Sequence, residues 1–309
     1  MKLFFAPLQG YTDAAYRKFH NEIYESCIDC YFTPFIRVEN GEPRQKDIRD
    51  INLERNNLSK TIPQIIVKNI DEFNILVNAI QNEGYSRIDI NMGCPFPLQV
   101  KRGRGAALLS SINNVKEIMH EVEKIKNVKF SVKMRLGQTE NNQWRQILPI
   151  LNDTPLEYIT LHPRIATQQY NGSVDIEAFN EVYINSKHNL IFNGDIINTD
   201  QLLSLEKQYA GLYGVMMGRG LLSSPSLAWE YVNKINLSQN EKLDKFILFH
   251  NKLFEFYESK LQGDSQLLSK VKTLWDYSET MIGRKMYKQI KKTTTLSKYQ
   301  QLISMLSKI

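Results

Sequence analysis

The sequence predicts an α/β protein: a (β/α)8 TIM barrel followed by a small C-terminal all-helical domain. Three observations lead there. Eight short, nearly continuous apolar runs of β type recur over roughly the first 235 residues. The stretches between them carry apolar residues at helical spacing. Beyond about residue 236 the β-type runs stop and positive charge accumulates.

The candidate strands are residues 3–7, 31–38, 63–67, 87–91, 129–135, 158–162, 190–193 and 214–217. Strands covered on both faces read as continuous apolar runs, as these do. Between them, Phe73, Leu76, Val77 and Ile80 fall on one helical face, as do Val115, Ile118, Met119, Val122 and Ile125. An open doubly wound sheet is the competing topology. Its dinucleotide fingerprint would follow the first strand, but Pro7-Leu8-Gln9-Gly10 is not G-x-G-x-x-G. A polar linker, residues 236–240, then separates a barrel over 1–235 from a helical domain over 241–309. Two helical stripes in that domain run from Phe246 to Tyr257 and from Leu267 to Trp275.

The net charge of +6 lies entirely in the second part. Residues 241–309 hold 13 Lys/Arg and 7 Asp/Glu, whereas the first 240 hold 26 of each. From residue 281 on there is no acidic residue, only Arg284, Lys285, Lys288, Lys291, Lys292, Lys298 and Lys308. A one-signed tail on a neutral body suits a polyanion, and nucleic acid fits better than a membrane surface. No apolar run is long enough to cross a bilayer, and residues 1–7 read as a first strand with no signal-peptide layout. A cytoplasmic monomer is expected. Three cysteines are too few, and odd in number, for a disulfide framework, and Cys27-x-x-Cys30 has no second pair or nearby histidine pair to complete a metal site. No metal is expected.

Barrels of this class place their chemistry at the C-terminal ends of the strands. Polar residues recur there: Gln9, Arg37, Gln64, Asn91 with Cys94, Lys133 with Arg135, His162 with Arg164, Asn193 with Asp195, and Arg219. Cys94 stands between Gly93 and Pro95, a rigid placement for a thiol that must meet a substrate at one angle. Asn193-Gly194-Asp195 and Gly218-Arg219-Gly220 follow the seventh and eighth strands, where barrels commonly bind phosphate. Lys133 interrupts an apolar strand and needs an anionic or electron-rich partner, such as the N1–C2=O region of a flavin.

With these residues the chain resembles the tRNA-dihydrouridine synthases, flavin enzymes that reduce the C5–C6 double bond of specific uridines in the tRNA D-loop. The likeness runs from Ala6-Pro7 through Gly220 and more loosely through the helical tail. Asn91-Met92-Gly93-Cys94-Pro95 carries most of it, and Lys133-Met134-Arg135-Leu136-Gly137 and the two glycine loops follow in family order. The resemblance implies FMN held by Pro7, Leu8, Gln9, Gln64, Lys133, His162, Asn193, Gly194, Asp195, Gly218 and Arg219. It implies Cys94 as the catalytic acid and NADPH or NADH as reductant. Substrate and tRNA contacts are expected at Arg37, Asn91, Lys101, Arg102, Arg104, Arg164, Lys272, Arg284, Lys285, Lys288, Lys291 and Lys292. His162-Pro163-Arg164 departs from the usual His-Gly-Arg, and Phe96-Pro97-Leu98-Gln99 from a small or basic stretch. Phe35-Ile36-Arg37-Val38 is most similar to the bacterial branch acting on U16.

Two other readings compete. A flavin barrel acting on a free pyrimidine explains Cys94 and Lys133 but not the basic tail. A tRNA-binding module without redox chemistry explains the tail but neither of those residues. Turnover of intact tRNA against free uridine separates the first, and flavin absorbance the second.

Overall fold

The computed structural model describes residues 1–306, so Lys308 of the basic run lies outside the described residues. Eight strand positions follow in chain order: β1 (Lys2–Phe5), β2 (Cys30–Phe32), β3 (Thr61–Ile62 and Gln64–Ile65), β4 (Arg87–Met92), β5 (Lys129–Gly137), β6 (Leu156–Ile165), β7 (Leu190–Asn193) and β8 (Gly214–Met217). Every pairing is parallel, running from the first half of β3 through β2, β1, β8, β7, β6, β5 and β4 to the second half of β3. The two ends of this sheet are therefore one strand, interrupted at Pro63, and the sheet closes on itself. A closed sheet leaves no open edge.

Proline explains where the strands depart from the sequence pattern. The expected run 31–38 ends at Phe32, because Pro34 has no N–H for a ladder. Pairing with β3 resumes at Ile36, whose N–H donates to the Gln64 carbonyl (2.7 Å). Val38–Glu39 then pairs antiparallel with Glu42–Pro43 in a small hairpin. Its tip is Asn40-Gly41, both with positive φ (54° and 83°), as a two-residue hairpin turn of this hand requires. At Pro63 the carbonyl is still used, accepting from Asp89 N–H (2.9 Å).

The helices follow the predicted stripes. The helix Ile70–Asn82 is capped by Asn69, whose side chain accepts from Glu72 N–H, and buries Phe73, Leu76, Val77 and Ile80. The helix Ile112–Lys124 buries Val115, Ile118, Met119 and Val122.

The chain forms two compact units. The first holds Met1–Pro7, Cys30–Gly194 and Tyr209–Met216. The second joins Leu8–Asp29 and Asp195–Gln208 to everything from Met217 onward. The helices Ala14–Ile23 and Thr199–Gln208, which follow β1 and β7, therefore cluster with the C-terminal helices. In that unit Ser238 and Glu241 form a capping box at the start of the helix Gln239–Glu258. Phe249 meets Tyr16 edge-on at 4.9 Å, Lys252 pairs with Glu22, and Asp13 takes Lys270 and the Tyr257 hydroxyl. The unit's core is built around Trp275, whose indole N–H donates to the Tyr299 hydroxyl (2.7 Å). That hydroxyl lies 2.6 Å from His250 Nε2, and His250 Nδ1 lies 3.0 Å from the Asn251 side-chain oxygen. A neutral imidazole protonated at Nδ1 satisfies the whole set, with Nε2 accepting from Tyr299.

No helix among the described residues is long and apolar enough to cross a membrane.

Burial lowers the pKa of His250 to about 4 and that of His20 to about 3. Unfolded histidine titrates near 6.5, so the unfolded chain alone takes up these protons as pH falls below that value. The fold is expected to be insensitive to these groups above pH ~7 and to lose about 2 kcal/mol per imidazole by pH ~5. Urea denaturation midpoints across that range provide the check. An unchanged midpoint would mean that neither ring is held neutral.

Candidate active site

Inward-facing residues of the barrel change character along its axis. One layer is apolar: Phe4, Phe32, Ile62, Tyr158, Ile191 and Met216 pack together. Further along, register places Gln64 beside Asp89 and Asp89 beside Ser131 on β3, β4 and β5. One step of the pleat on, Asn91, Lys133 and Thr160 are neighbours, and after them Arg135 and His162. Period-2 alternation thus lifts every second residue of four strands into one polar interior.

These groups form a directed chain of hydrogen bonds. Ser131 Oγ donates to Asp89 Oδ1 (2.6 Å), and Gln64 Nε2 donates to Asp89 Oδ2 (2.7 Å). Gln64 Oε1 accepts from Asn91 Nδ2 (2.7 Å). Asn91 Oδ1 then accepts from the backbone N–H groups of Gly93 (3.0 Å) and Cys94 (2.8 Å). Gln64 and Asn91, expected to touch ligand, also brace the thiol loop. Burial pushes the Asp89 carboxyl up to about 7, against the pull of its hydrogen bonds from Ser131 and Gln64 and the charge of Lys133. Burial, aided by Arg135, brings Lys133 down to about 8, while Asp89 and Cys94 oppose the shift. The Lys133 ammonium has no hydrogen-bond or ion-pair partner among the described residues. A half-buried cation without such a partner is costly to the fold unless something else meets it.

Cys94 is half-buried directly after β4. Arg135 Nε donates to the Gly93 carbonyl (3.1 Å) and Nη1 to that of Ile165 (2.9 Å), tying the thiol loop to β6. Burial raises the Cys94 thiol, opposed by a backbone hydrogen bond at Phe96 and the charges of Lys133 and Arg135.

The remaining predicted residues divide between the two units. In the first, His162 is buried and accepts at Nε2 from Arg164 Nη1 (3.1 Å), and Arg164 also donates to the Gly172 carbonyl (2.5 Å). Arg164 is thus fully buried and orients His162. The guanidinium of Arg135 lies 5.6 Å from the ring of Tyr170, which is 6.2 Å from that of His162. Asn193 Nδ2 donates to the Met216 carbonyl, and Gly194 has no room for a Cβ, which would lie 2.7 Å from Val174. Pro7 and Arg37 are half-buried, while Lys101 and Arg102 are exposed. Arg104 departs from the expectation of an RNA contact. It is 5% exposed and bonded to Glu72 and to the Val38 carbonyl, so its charge is spent inside the protein.

In the second unit Leu8 is half-buried, Gln9 is exposed, and Arg219 pairs with Asp195 (3.1 Å) just after Gly218. Arg284, Lys285, Lys288 and Lys292 are exposed on the helix Glu279–Lys292, which is kinked at Gly283. Lys291 is paired with Asp276, and Lys272 donates to the Thr293 carbonyl, so neither is wholly free for an outside partner.

Sequence reasoning missed Asp89, Ser131 and Glu72. A carboxylate flanked by isoleucines at 88 and 90 was the available signal, since a charge in such a run must find a buried partner.

The sequence profile of the family described as dihydrouridine synthase (Dus) matches residues 4–308. A Helicobacter pylori protein named "Probable tRNA-dihydrouridine synthase" is 27% identical over 285 residues, covering 90% of this chain and 83% of that protein. A Bacillus subtilis protein, "Probable tRNA-dihydrouridine synthase 2", is 27% identical over 262 residues, covering 82% and 78%. Among solved structures, the old yellow enzyme from Trypanosoma cruzi superposes with TM-score 0.52 at 11% identity, over 77% of this chain and 89% of that one. Histamine dehydrogenase from Rhizobium sp. 4-9 gives TM-score 0.55 at 11% identity, over 80% and 49%. The two structures share the barrel fold with this chain. With a profile match across nearly its whole length, the chain belongs to the dihydrouridine synthase family of enzymes.

Proposed function

We propose that this protein reduces uridines of the tRNA D-loop to 5,6-dihydrouridine, with FMN as its bound cofactor and NADPH or NADH as reductant. The observation that carries the proposal is the unpartnered Lys133 ammonium, one strand from the loop that fixes Cys94. The residues present fit a flavin. Lys133 offers a cation to the electron-rich N1–C2=O edge, and the close-packed Gly194 offers backbone where no side chain fits. In the first unit Lys133, His162, Asn193 and Gly194 would hold the group. When bound, FMN would supply the hydride that reaches C6 of the uracil.

The chain's own chemistry is proton delivery. C5 must receive a proton, and Cys94 is the donor proposed here. Its raised pKa keeps the thiol protonated at neutral pH, as an acid requires. A nucleophile would call for the opposite shift. Asn91 and Arg135 hold the loop, so the Sγ–H is presented from one direction. The target uridine must leave its stack, at a cost of a few kcal/mol that is smaller in a loop. Phosphate contacts from the helical domain, residues 241–309, would offset that cost. The exposed residues Arg284, Lys285, Lys288 and Lys292 are the proposed contacts.

Incubating the holoenzyme with NADPH and unmodified tRNA, then mapping dihydrouridine, tests the whole reading, and no product would reject it. Cys94→Ala is expected to keep FMN and tRNA binding and NADPH oxidation, while uridine reduction falls by roughly 10²–10⁴-fold. Wild-type reduction would remove the thiol from the mechanism.

Iodoacetamide alkylation of Cys94 should rise through a pH midpoint above that of a free thiol, about 8.5. A midpoint at or below the free value would argue against the acid role.

Replacing Lys285, Lys288 and Lys292 with Gln should weaken tRNA binding and reduce its salt slope by about 3, near one unit per lost phosphate contact. An unchanged slope would make those lysines a solvated helix face.

A further inference from the structure

We propose that Arg104 and Glu72 are positioning residues for Cys94, an inference that rests on the reading of Cys94 as the acid. Sequence pattern groups Arg104 with Lys101 and Arg102 in one basic, glycine-rich segment. The structure splits that group: Lys101 and Arg102 face outward, and Arg104 turns inward. Its Nε donates to Glu72 Oε2 (2.8 Å), and its Nη2 donates to Glu72 Oε1 and to the Val38 carbonyl (2.9 Å). Glu72 is itself fixed in the first turn of the helix Ile70–Asn82 and accepts the Lys68 N–H (3.1 Å). A planar fork on a carboxylate, both nearly buried, allows little freedom of position or angle.

What this pair holds lies one residue further on. Gly105, at φ +64°, runs so close behind the thiol loop that a Cβ there would sit 2.9 Å from both Cys94 Cβ and the Cys94 carbonyl oxygen. Ala106 N–H donates to that same carbonyl (3.1 Å). The backbone of residues 105–106 is therefore a wall against which Cys94 rests, and Arg104 is the pin that fixes it. Asn91 holds the loop's N–H groups, and the pinned wall holds its carbonyl. A buried ion pair contributes little stability over an apolar substitute of like volume, so geometry is its principal contribution here.

The test uses the full-length holoenzyme with Glu72→Leu and Arg104→Met combined, so that neither charge is left unpaired. Gly105→Ala is made alongside; it keeps the ion pair, and its Cβ presses directly on Cys94 and on Ile66. For each variant three quantities are read: Cys94 alkylation by iodoacetamide, quantified by peptide mass spectrometry; single-turnover dihydrouridine formation from pre-reduced enzyme; and tRNA affinity against salt. The expected result is faster Cys94 alkylation and uridine reduction slower by on the order of 10²-fold, as for a displaced reacting group. The tRNA affinity and salt slope should match wild type. If the double variant does not fold, Arg104→Lys, which keeps the charge but loses the two-pronged fork, carries the same expectation. Weaker tRNA binding with a flatter salt slope and unchanged alkylation would overturn the proposal and return Arg104 to the RNA contacts. Wild-type alkylation and rate in the variants would also overturn it. A Cys94→Ala enzyme at wild-type rate would instead reject the acid reading, while the alkylation data would still report whether the pair holds the loop.

Discussion

The organisation of the barrel interior depends on one constraint: a carboxyl group shut away from water must have both oxygens hydrogen-bonded within the protein. Asp89 has no access to water, so its oxygens must be met by donors from neighbouring strands. That requirement orients Gln64 with its nitrogen inward, which leaves the Gln64 oxygen to face Asn91. Asn91 must then present its nitrogen to Gln64 and its oxygen to the Gly93 and Cys94 N–H groups. Polarity set at one buried atom is thus transmitted through two amides to the backbone of the thiol. Such a network is worth its cost only when every member is satisfied.

Against this ordered network stands a cation left open. Asp89, Gln64, Asn91, Arg135 and His162 each have partners within the first unit, whereas Lys133 has none among the described residues. The contrast separates side chains already engaged within the protein from one that is not more sharply than residue type does. The same division runs through the basic residues. Arg104, Arg164, Lys272 and Lys291 engage the protein itself, and Lys101, Arg102, Lys285, Lys288 and Lys292 face solvent.

How much of this was legible in the sequence depended on whether the signal was local. The eight strand positions were, because each is an apolar run bounded by helical spacing, and the thiol motif was, because glycine and proline flank it. The break of the second strand was also written locally, in Pro34, but a continuous apolar reading from 31 to 38 passed over it. What no local pattern could supply was register. That Gln64 lies beside Asp89, and Asp89 beside Ser131, follows only from the pairing of strands far apart in sequence. Arg104 shows the same limit in reverse. Its basic neighbours pointed it toward RNA, and its true partner, Glu72, lies 32 residues earlier.

The unpartnered Lys133 also bears on the life of the molecule in a cell. A half-buried cation without a partner weakens the fold, and any ligand that satisfies it would give that stability back by mass action, as RT ln(1 + [L]/Kd). Occupancy and persistence are thereby linked. On the proposed reading, chains that hold the flavin would unfold less often, and those without it would be the ones that proteases meet in an open state. The group that makes the site receptive also makes the empty protein expendable, so ligand supply would set the abundance of the chain as well as its activity.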